Sequence, residues 1–241
     1  MTDFPRIRPV GLSGLLVQFA ESMSEPANRA ALAFRAAVDS ADWPEVFETS
    51  TSLVSTFLRV DALAGGDAMT ERLETLLASR DWYAAPLPEN RTLWHVPTLY
   101  GGDHGPQLEE AAEAAGVDAD TAVAELSSAR LRVITIGFAP GQPYIAELPA
   151  HWNIPRQRAL SKSVPRGALV VAIRQLVVFT NDTPTGWRHV GQTHFRNFTP
   201  ASDTPFALSP GDEIVFPSVT ETQFAAMADD AAGGAEREAI A

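Results

Sequence analysis

The residues best suited to proton transfer are neighbours in the sequence. Asp103 and His104 lie between Gly102 and Gly105-Pro106, where the sequence predicts the start of a helix. Unpaired N–H groups and the helix dipole favour an anion at such a point. A histidine beside a carboxylate is also suited to carry a proton. Alternatively, Asp103 only caps the helix, and the sequence leaves both interpretations open.

A loop of unusual composition follows the strand predicted to end at Ile136. Its eight residues include two glycines, two prolines and two aromatic side chains. Such a loop exposes backbone N–H groups and aromatic faces, and loops on a rigid scaffold often carry function. The alternative is a tight structural corner. On the functional interpretation, the residues that line a substrate pocket are Gly137, Phe138, Pro140, Gly141 and Tyr144.

Two arginines on proline-stiffened turns could hold an anionic substrate group. Arg156 follows Pro155, and Arg166 follows Pro165. The planar guanidinium suits a carboxylate or a phosphate, although an exposed arginine is often only solvated. Gln175 interrupts an apolar run, so its amide is expected either to bond within the fold or to face a ligand.

Several chemistries are absent from the sequence. The chain has no cysteine, which excludes disulfides, thiolate metal sites and a cysteine nucleophile. The only lysine, Lys162, lacks the Gly-Lys-Ser/Thr context of a phosphate-binding loop. None of the five histidines has the i,i+4 partner of a metal-binding helix face, and a metal shared by His189 and His194 has no support. We therefore predict no metal site.

The charge balance excludes another group of functions. With 18 basic and 30 acidic residues the net charge is −12, which disfavours nucleic acid and anionic membranes as partners. The acidity is uneven, since residues 131–220 carry 8 basic and 5 acidic side chains. With no signal-peptide pattern and no apolar run of about 20 residues, we expect a cytoplasmic protein.

The elements that position these residues predict an α+β protein. Residues 1–90 are expected to form a small α+β domain. It has a hairpin around Gly11–Gly14, a helix after Ser24, a strand ending near Val60, and a second helix after Gly65-Gly66 that Asp67 caps. Residues 91–221 contain short helices followed by strand-like segments joined by Gly/Pro-rich turns, which is typical of a closed or nearly closed β-barrel. We expect the acidic residues 222–241 to fray.

The ordered set of motifs resembles one family. The matching residues are Tyr100-Gly101-Gly102-Asp103, Gly105-Pro106, Gly137-Phe138, Pro140-Gly141, Tyr144, Pro155-Arg156, Val164-Pro165, Gly167, Gln175, Gly186-Trp187, Gly191, Thr193 and Pro210-Gly211-Asp212. In this order they resemble the B-type component of 5-oxoprolinase. The same family includes sporulation kinase inhibitors of the KipI type and allophanate hydrolase subunit 1, and it is similar to part of the carboxyltransferase region of urea carboxylase. Some polar positions depart from the pattern: His104 and Gln142 replace aromatic residues, and Gln107 replaces an aspartate.

The resemblance implies a cyclophilin-like fold for the barrel domain and a heteromeric assembly. It implies a larger, C-type cyclophilin-like partner, with an A-type protein as a third component. The implied reaction couples ATP hydrolysis to opening of the 5-oxoproline lactam, which gives glutamate.

We therefore predict a non-autonomous component of an ATP-dependent amidohydrolase that acts on a small carboxylated amide. Asp103 and His104 are its candidates for proton transfer. Two alternatives remain: a binding protein that inhibits a sensor histidine kinase, and a biotin-linked carboxyl transfer role, which requires a partner that carries biotin.

Overall fold

The structure is a computed structural model that describes residues 4–61 and 66–240. The chain divides into two compact units, Met1–Glu89 and Asn90–Ala241, and each has its own apolar core. The longest helix in the described residues has 17 residues. Among the helices of these residues, none has both the length and the apolar character needed to cross a bilayer.

The first unit is a four-stranded antiparallel sheet with two helices. The strand order is β1-β2-β4-β3. Its elements are β1 (Arg6–Val10), β2 (Gly14–Gln18), α1 (Glu25–Ala41), β3 (Val46–Ser52), β4 (Ser55–Val60) and α2 (Gly66–Ala78).

Most of the predicted elements of this unit are present. The hairpin joins β1 to β2, and α1 buries one face against the sheet. The segment before Val60 forms two strands rather than one, since β3 and β4 are also a hairpin. Asp67 lies inside α2, which begins at Gly66, so it does not precede the helix as a cap. Gly65, expected to break the chain there, lies outside the described residues.

The second unit contains a nine-stranded sheet and three helices. The described elements are β5 (Arg91–His95), β6 (Leu99–Tyr100), α3 (Leu108–Ala115), α4 (Ala119–Ser128), β7 (Leu131–Ile136), β8 (Pro143–Ala146), β9 (Ser161–Val164), β10 (Ala168–Ala172), β11 (Gln175–Val178), β12 (Thr183–Thr185), β13 (Arg188–Gln192), β14 (Glu213–Val215), α5 (Glu221–Ala226) and β15 (Glu236–Ile240).

This arrangement confirms the predicted α+β class. The large sheet has the order β15-β5-β14-β7-β8-β11-β10-β13-β6, and β9 pairs with β12 in a separate two-stranded sheet. The large sheet curls into a half-barrel with β15 and β6 as its edges. The expected barrel therefore exists as an open, curved sheet.

The two faces of this sheet bury different apolar sets. Along β10, Leu169 and Val171 face the main core, which α3 and α4 cover. Ala168, Val170 and Ala172 face the opposite side, where they pack with Trp187. Because successive side chains of a strand alternate between faces, a strand buried on both sides is a continuous apolar run. This explains why β10 lacks the usual polar alternation.

The acidic C-terminal segment is folded, so the expectation of a frayed tail over residues 222–241 is wrong for its described part. Thr220 caps α5 through a capping box with Gln223. Further on, β15 pairs with β5 in an antiparallel register from Glu236–His95 to Ile240–Arg91. Strand pairing satisfies the backbone of a segment that is too polar to form a core of its own.

Candidate functional site

A glycine-rich turn positions Asp103 and His104. Gly101 and Gly102 have φ angles of 72° and 53°, which favour glycine. Gly105 packs so closely on β13 that an added Cβ would lie 2.2 Å from the Val190 carbonyl oxygen. The turn is thereby fixed on β13, with Asp103 exposed and His104 half-buried.

The structure corrects the predicted helix start. Residues 102–104 form a single 3-10 turn, and α3 begins only at Leu108, with Gln107 in the capping position. His104 therefore does not stand at the N-terminus of a longer helix. The helix dipole of α3 is not available to Asp103 and His104 in the way that the sequence suggested, because the dipole effect falls off within one turn.

Two aromatic side chains from distant parts of the chain lie beside His104. Its ring lies 5.1 Å from that of Phe224, in an edge-on arrangement. Phe224 stacks in turn on His194, with ring centroids 4.0 Å apart and planes at 19°. The segment around α5 therefore covers the candidate catalytic histidine.

Burial favours the neutral form of the two neighbouring histidines, His189 and His194. Desolvation lowers the pKa of His189 and of His194, and the nearby charge of His104 lowers both pKa values further. Hydrogen bonds with Gly191 and Gln192 oppose the pKa shift of His189, and one with Phe224 opposes that of His194. No group of three His, Asp or Glu side chains in the described residues is arranged to hold a metal ion.

A polar network lies on the other side of the same turn. Gln107 Nε2 donates to Gln157 Oε1 at 2.9 Å, and Gln157 Nε2 donates back to Gln107 Oε1 at 3.2 Å. The amide orientation of Gln107 is fixed because its Oε1 also accepts from the backbone N–H of His189. Arg188 adds a hydrogen bond from Nε to Glu110 and another from Nη1 to the Pro155 carbonyl oxygen.

The predicted arginines lie on separate exposed segments. Arg156 is next to Gln157, and its Nε lies 3.7 Å from the position of a Cβ added at Gly186. Arg166 precedes β10, where its N–H donates to Asp182 and its carbonyl accepts from Gln192. Arg156 therefore directly precedes a residue of the network, Gln157, whereas Arg166 belongs to the turn before β10.

The predicted loop is partly a strand. Gly137–Gln142 form the turn, closed by a hydrogen bond from the Gly137 N–H to the Gln142 carbonyl oxygen at 3.1 Å. Pro143 and Tyr144 begin β8. Phe138 is exposed at the tip, and the Tyr144 ring lies 6.1 Å from that of Trp187. Proline is tolerated as the first residue of a strand, which explains why the sequence pattern concealed β8.

The strand register separates Gln175 from this loop. Gln175 opposes Ala146 at one end of the β8–β11 pair, while Tyr144 opposes Val177 towards the other end. At about 3.3 Å per residue, Gln175 lies roughly 13 Å along the strand from Gln142. The structure thus places the two at opposite ends of β8.

Phe224 and Gln157 were not among the residues singled out from the sequence. Neither stands in a motif, and their partners His104, His194, Gln107 and Trp187 are all far away in the sequence. His194 was noticed only as a histidine. No local sequence signal identifies such contacts.

The fold and the motif order define a carboxyltransferase-type domain. Residues 5–208 match the family described as "Carboxyltransferase domain, subdomain C and D". The chain belongs to this family.

The curated relatives share one name, that of the B component of 5-oxoprolinase. The chain is 25% identical over 238 residues to this protein from Bacillus subtilis (strain 168), an alignment that covers 95% of this chain and 99% of that protein. It is 36% identical over 129 residues to the protein of the same name from Escherichia coli O157:H7, which covers 54% of this chain and 59% of that protein.

The chain is also similar to proteins whose structures have been solved. The chain is similar to TTHA0988, with 27% identity and a TM-score of 0.73, over 89% of this chain and 40% of that one. It spans about two fifths of that longer protein. The Kluyveromyces lactis urea carboxylase gives a TM-score of 0.77 at 16% identity, over 97% of this chain and 24% of that one. At this identity, the urea carboxylase match shows the fold alone.

Proposed function

We propose that this chain is the B-type component of a heteromeric, ATP-dependent amidohydrolase that acts on 5-oxoproline or a related carboxylated amide. The main support for this proposal is the alignment with the B component of 5-oxoprolinase from Bacillus subtilis, which covers 99% of that protein. In this proposal a C-type partner, together with an A-type partner, completes the enzyme.

In the proposed reaction, ATP supplies the activation of the amide oxygen. This sequence has no Gly-Lys-Ser/Thr loop for the nucleotide phosphates. In this proposal the assembled complex binds the nucleotide. The contribution of this chain is substrate positioning and proton transfer. His104, half-buried beside Phe224, protonates the amide nitrogen as the amide bond opens, and the exposed Asp103 next to it is the second candidate for proton transfer.

Arg156 is assigned to the substrate carboxylate. It is exposed and lies next to Gln157, whose side chain is fixed by Gln107 and by the Trp187 carbonyl oxygen. A planar guanidinium on such a fixed segment can bind a carboxylate through two hydrogen bonds. Arg166 and Gln175, on other segments, stay predictions as substrate ligands, as do the kinase-inhibitor and carboxyl-transfer alternatives.

The test is reconstitution of the complex. The chain is co-expressed with its A-type and C-type counterparts, and ATP hydrolysis is measured with and without 5-oxoproline. We expect hydrolysis that depends on the amide and on the presence of this chain. Removing a general acid–base group typically costs about 10²–10⁴-fold. We therefore expect His104→Gln to lower kcat at least about 100-fold.

The matched control is His95→Gln. His95 is half-exposed on β5 and lies 3.7 Å from Glu238, outside the set around His104. This variant should leave kcat within about twofold. Amide-independent ATP turnover, or equal losses in both variants, would contradict the assignment.

A further inference from the structure

Two buried side-chain oxygens near the loop have no hydrogen-bond partner among the described residues. Gln142 is 1% exposed and its Oε1 is unpaired; Asn197 is 2% exposed and its Oδ1 is unpaired. Buried polar atoms are almost always hydrogen-bonded, because leaving one unpaired costs its full desolvation penalty. Two such atoms therefore point to a partner that the described part of the chain does not supply.

The orientation of Asn197 is fixed by its other amide atom. Its Nδ2 donates to the Val178 carbonyl oxygen at 2.7 Å, so Oδ1 must face away from β11. The backbone of Gln142 is already satisfied within the turn, since its N–H donates to the Ala139 carbonyl oxygen at 3.1 Å and its own carbonyl accepts from Gly137. The two oxygens without a partner therefore belong to side chains, and the hydrogen bonds that close the turn do not use them.

The segments that carry these oxygens are packed together. Gly141 has a φ of 72°, and an added Cβ would lie 2.8 Å from the Asn197 carbonyl oxygen and 2.9 Å from Phe198 Cβ. A third shielded atom without a partner in the described residues, Thr180 Oγ1, lies two residues beyond Val178. Three unpaired polar atoms therefore occur where the loop meets the end of β11.

Aromatic side chains stand at the surface around this point. Phe138 is 77% exposed at the tip of the turn. Phe206, which is 52% exposed, packs on Phe198 with ring centroids 5.0 Å apart. Apolar rings near a few convergent polar groups are typical of a small-molecule site.

We propose that Gln142 Oε1 and Asn197 Oδ1 accept hydrogen bonds from the N–H of a small amide ligand, a lactam or a carboxamide. An amide oxygen only accepts hydrogen bonds, so a group that pairs with Gln142 Oε1 or Asn197 Oδ1 must donate one. The choice of an amide rests on the proposed function, whereas the requirement for an N–H donor rests on the unpaired oxygens alone.

The test compares two rings of nearly the same shape. The ¹⁵N-labelled full chain is titrated with 2-pyrrolidinone, which has an N–H, and with γ-butyrolactone, which has a ring oxygen instead. We expect the lactam to shift the side-chain NH₂ resonances of Gln142 and Asn197. It should also bind at least about tenfold more tightly than the lactone, because a site built to hydrogen-bond discriminates against an analogue that lacks the group.

A variant and a matched control locate the effect. Gln142→Met keeps the side-chain length and removes Oε1, so the preference for lactam over lactone should disappear. Gln18→Met, at a half-buried position of the first unit, should keep it. If Gln142→Met does not fold, the comparison of the two rings on the unchanged chain still decides.

Equal binding of the two rings, or no shift with either, overturns the proposal. Shifts with ammonium chloride but not with 2-pyrrolidinone overturn the amide class as well. The titration uses neither ATP nor any partner protein. If reconstitution of the complex failed, the titration could therefore still be interpreted. If the titration failed, the reconstitution could still be interpreted.

Discussion

The imidazole of His194 stacks on the ring of Phe224, with centroids 4.0 Å apart and planes at 19°. The contact joins the segment after β13 to α5, and the same Phe224 ring meets His104 edge-on. Since Phe224 is only 6% exposed, it anchors the C-terminal segment over the candidate proton carrier.

Removing this ring should release the segment. Truncating a buried phenylalanine to alanine costs about 3–5 kcal/mol in protein cores, so we expect Phe224→Ala to lower the free energy of unfolding by about 3 kcal/mol. Phe224→Leu, which keeps apolar volume, should lose less than half as much. Urea denaturation of both variants measures the difference, and faster hydrogen exchange in β15 should accompany the larger loss. An unchanged free energy in Phe224→Ala would show that α5 contributes no packing.

Stability of the second unit should fall as the pH drops from about 6.5. Burial lowers the pKa of His189 and His194 in the folded state, so below the ordinary histidine pKa the unfolded chain binds more protons than the folded one. The favourable neutral state is retained above that pH. Urea midpoints measured about one pH unit above and one below the ordinary histidine pKa check this, and His194→Gln should flatten the dependence. A midpoint that rises on acidification over this range would be the opposite of the expected sign.

Glu213 should be a main stabilising charge of the barrel sheet. It accepts from Arg91 Nη1 at 2.7 Å and from Arg130 Nε. Burial raises the pKa of Glu213, but the hydrogen bonds and charges of the two arginines outweigh burial, so the pKa ends below its ordinary value. Because a partly buried carboxylate between two cations is costly to lose, we expect Glu213→Gln to cost about 2 kcal/mol of unfolding free energy.

The control for Glu213 is an exposed ion pair. Glu48 lies 3.1 Å from Arg59, and both side chains are at least half exposed. Exposed pairs contribute about 0–1 kcal/mol, so Glu48→Gln should cost less than about 1 kcal/mol in the same urea assay. Similar losses of unfolding free energy for the two substitutions would mean that the partial burial of Glu213 does not strengthen its ion pairs.

The amide pair of Gln107 and Gln157 should hold the segment that carries Arg156. Gln157→Leu leaves the Gln107 amide without its reciprocal partner and the Trp187 carbonyl oxygen without its donor. Unsatisfied polar groups cost about 1–3 kcal/mol, so the free energy of unfolding should drop by about that amount. In the reconstituted enzyme, KM for the amide should rise because Arg156 loses its fixed position. A rise in KM without any loss of stability would argue for direct substrate contact by Gln157.

Local patterns in the sequence were sufficient for much of the fold. The apolar spacing of α1 and the run of β10 predicted those elements, because periodicity and turn chemistry act between near neighbours. The same patterns missed β8, which begins at a proline, and β15, whose first three residues are charged. Pairing with an existing strand, rather than its own composition, makes each of them a strand.

The residues capable of chemistry could be named from the sequence, but their surroundings could not. The absence of cysteine excluded cysteine chemistry, and the residues around Lys162 excluded a lysine phosphate loop. The motif order identified the family that residues 5–208 match. Only the tertiary structure decided that Phe224 covers His104, that Gln107 pairs with Gln157, and that Gln142 is buried with a free oxygen. Those contacts depend on strand register and on the paths of loops between distant segments. The spacing of residues within one segment predicts neither the register nor the loop paths.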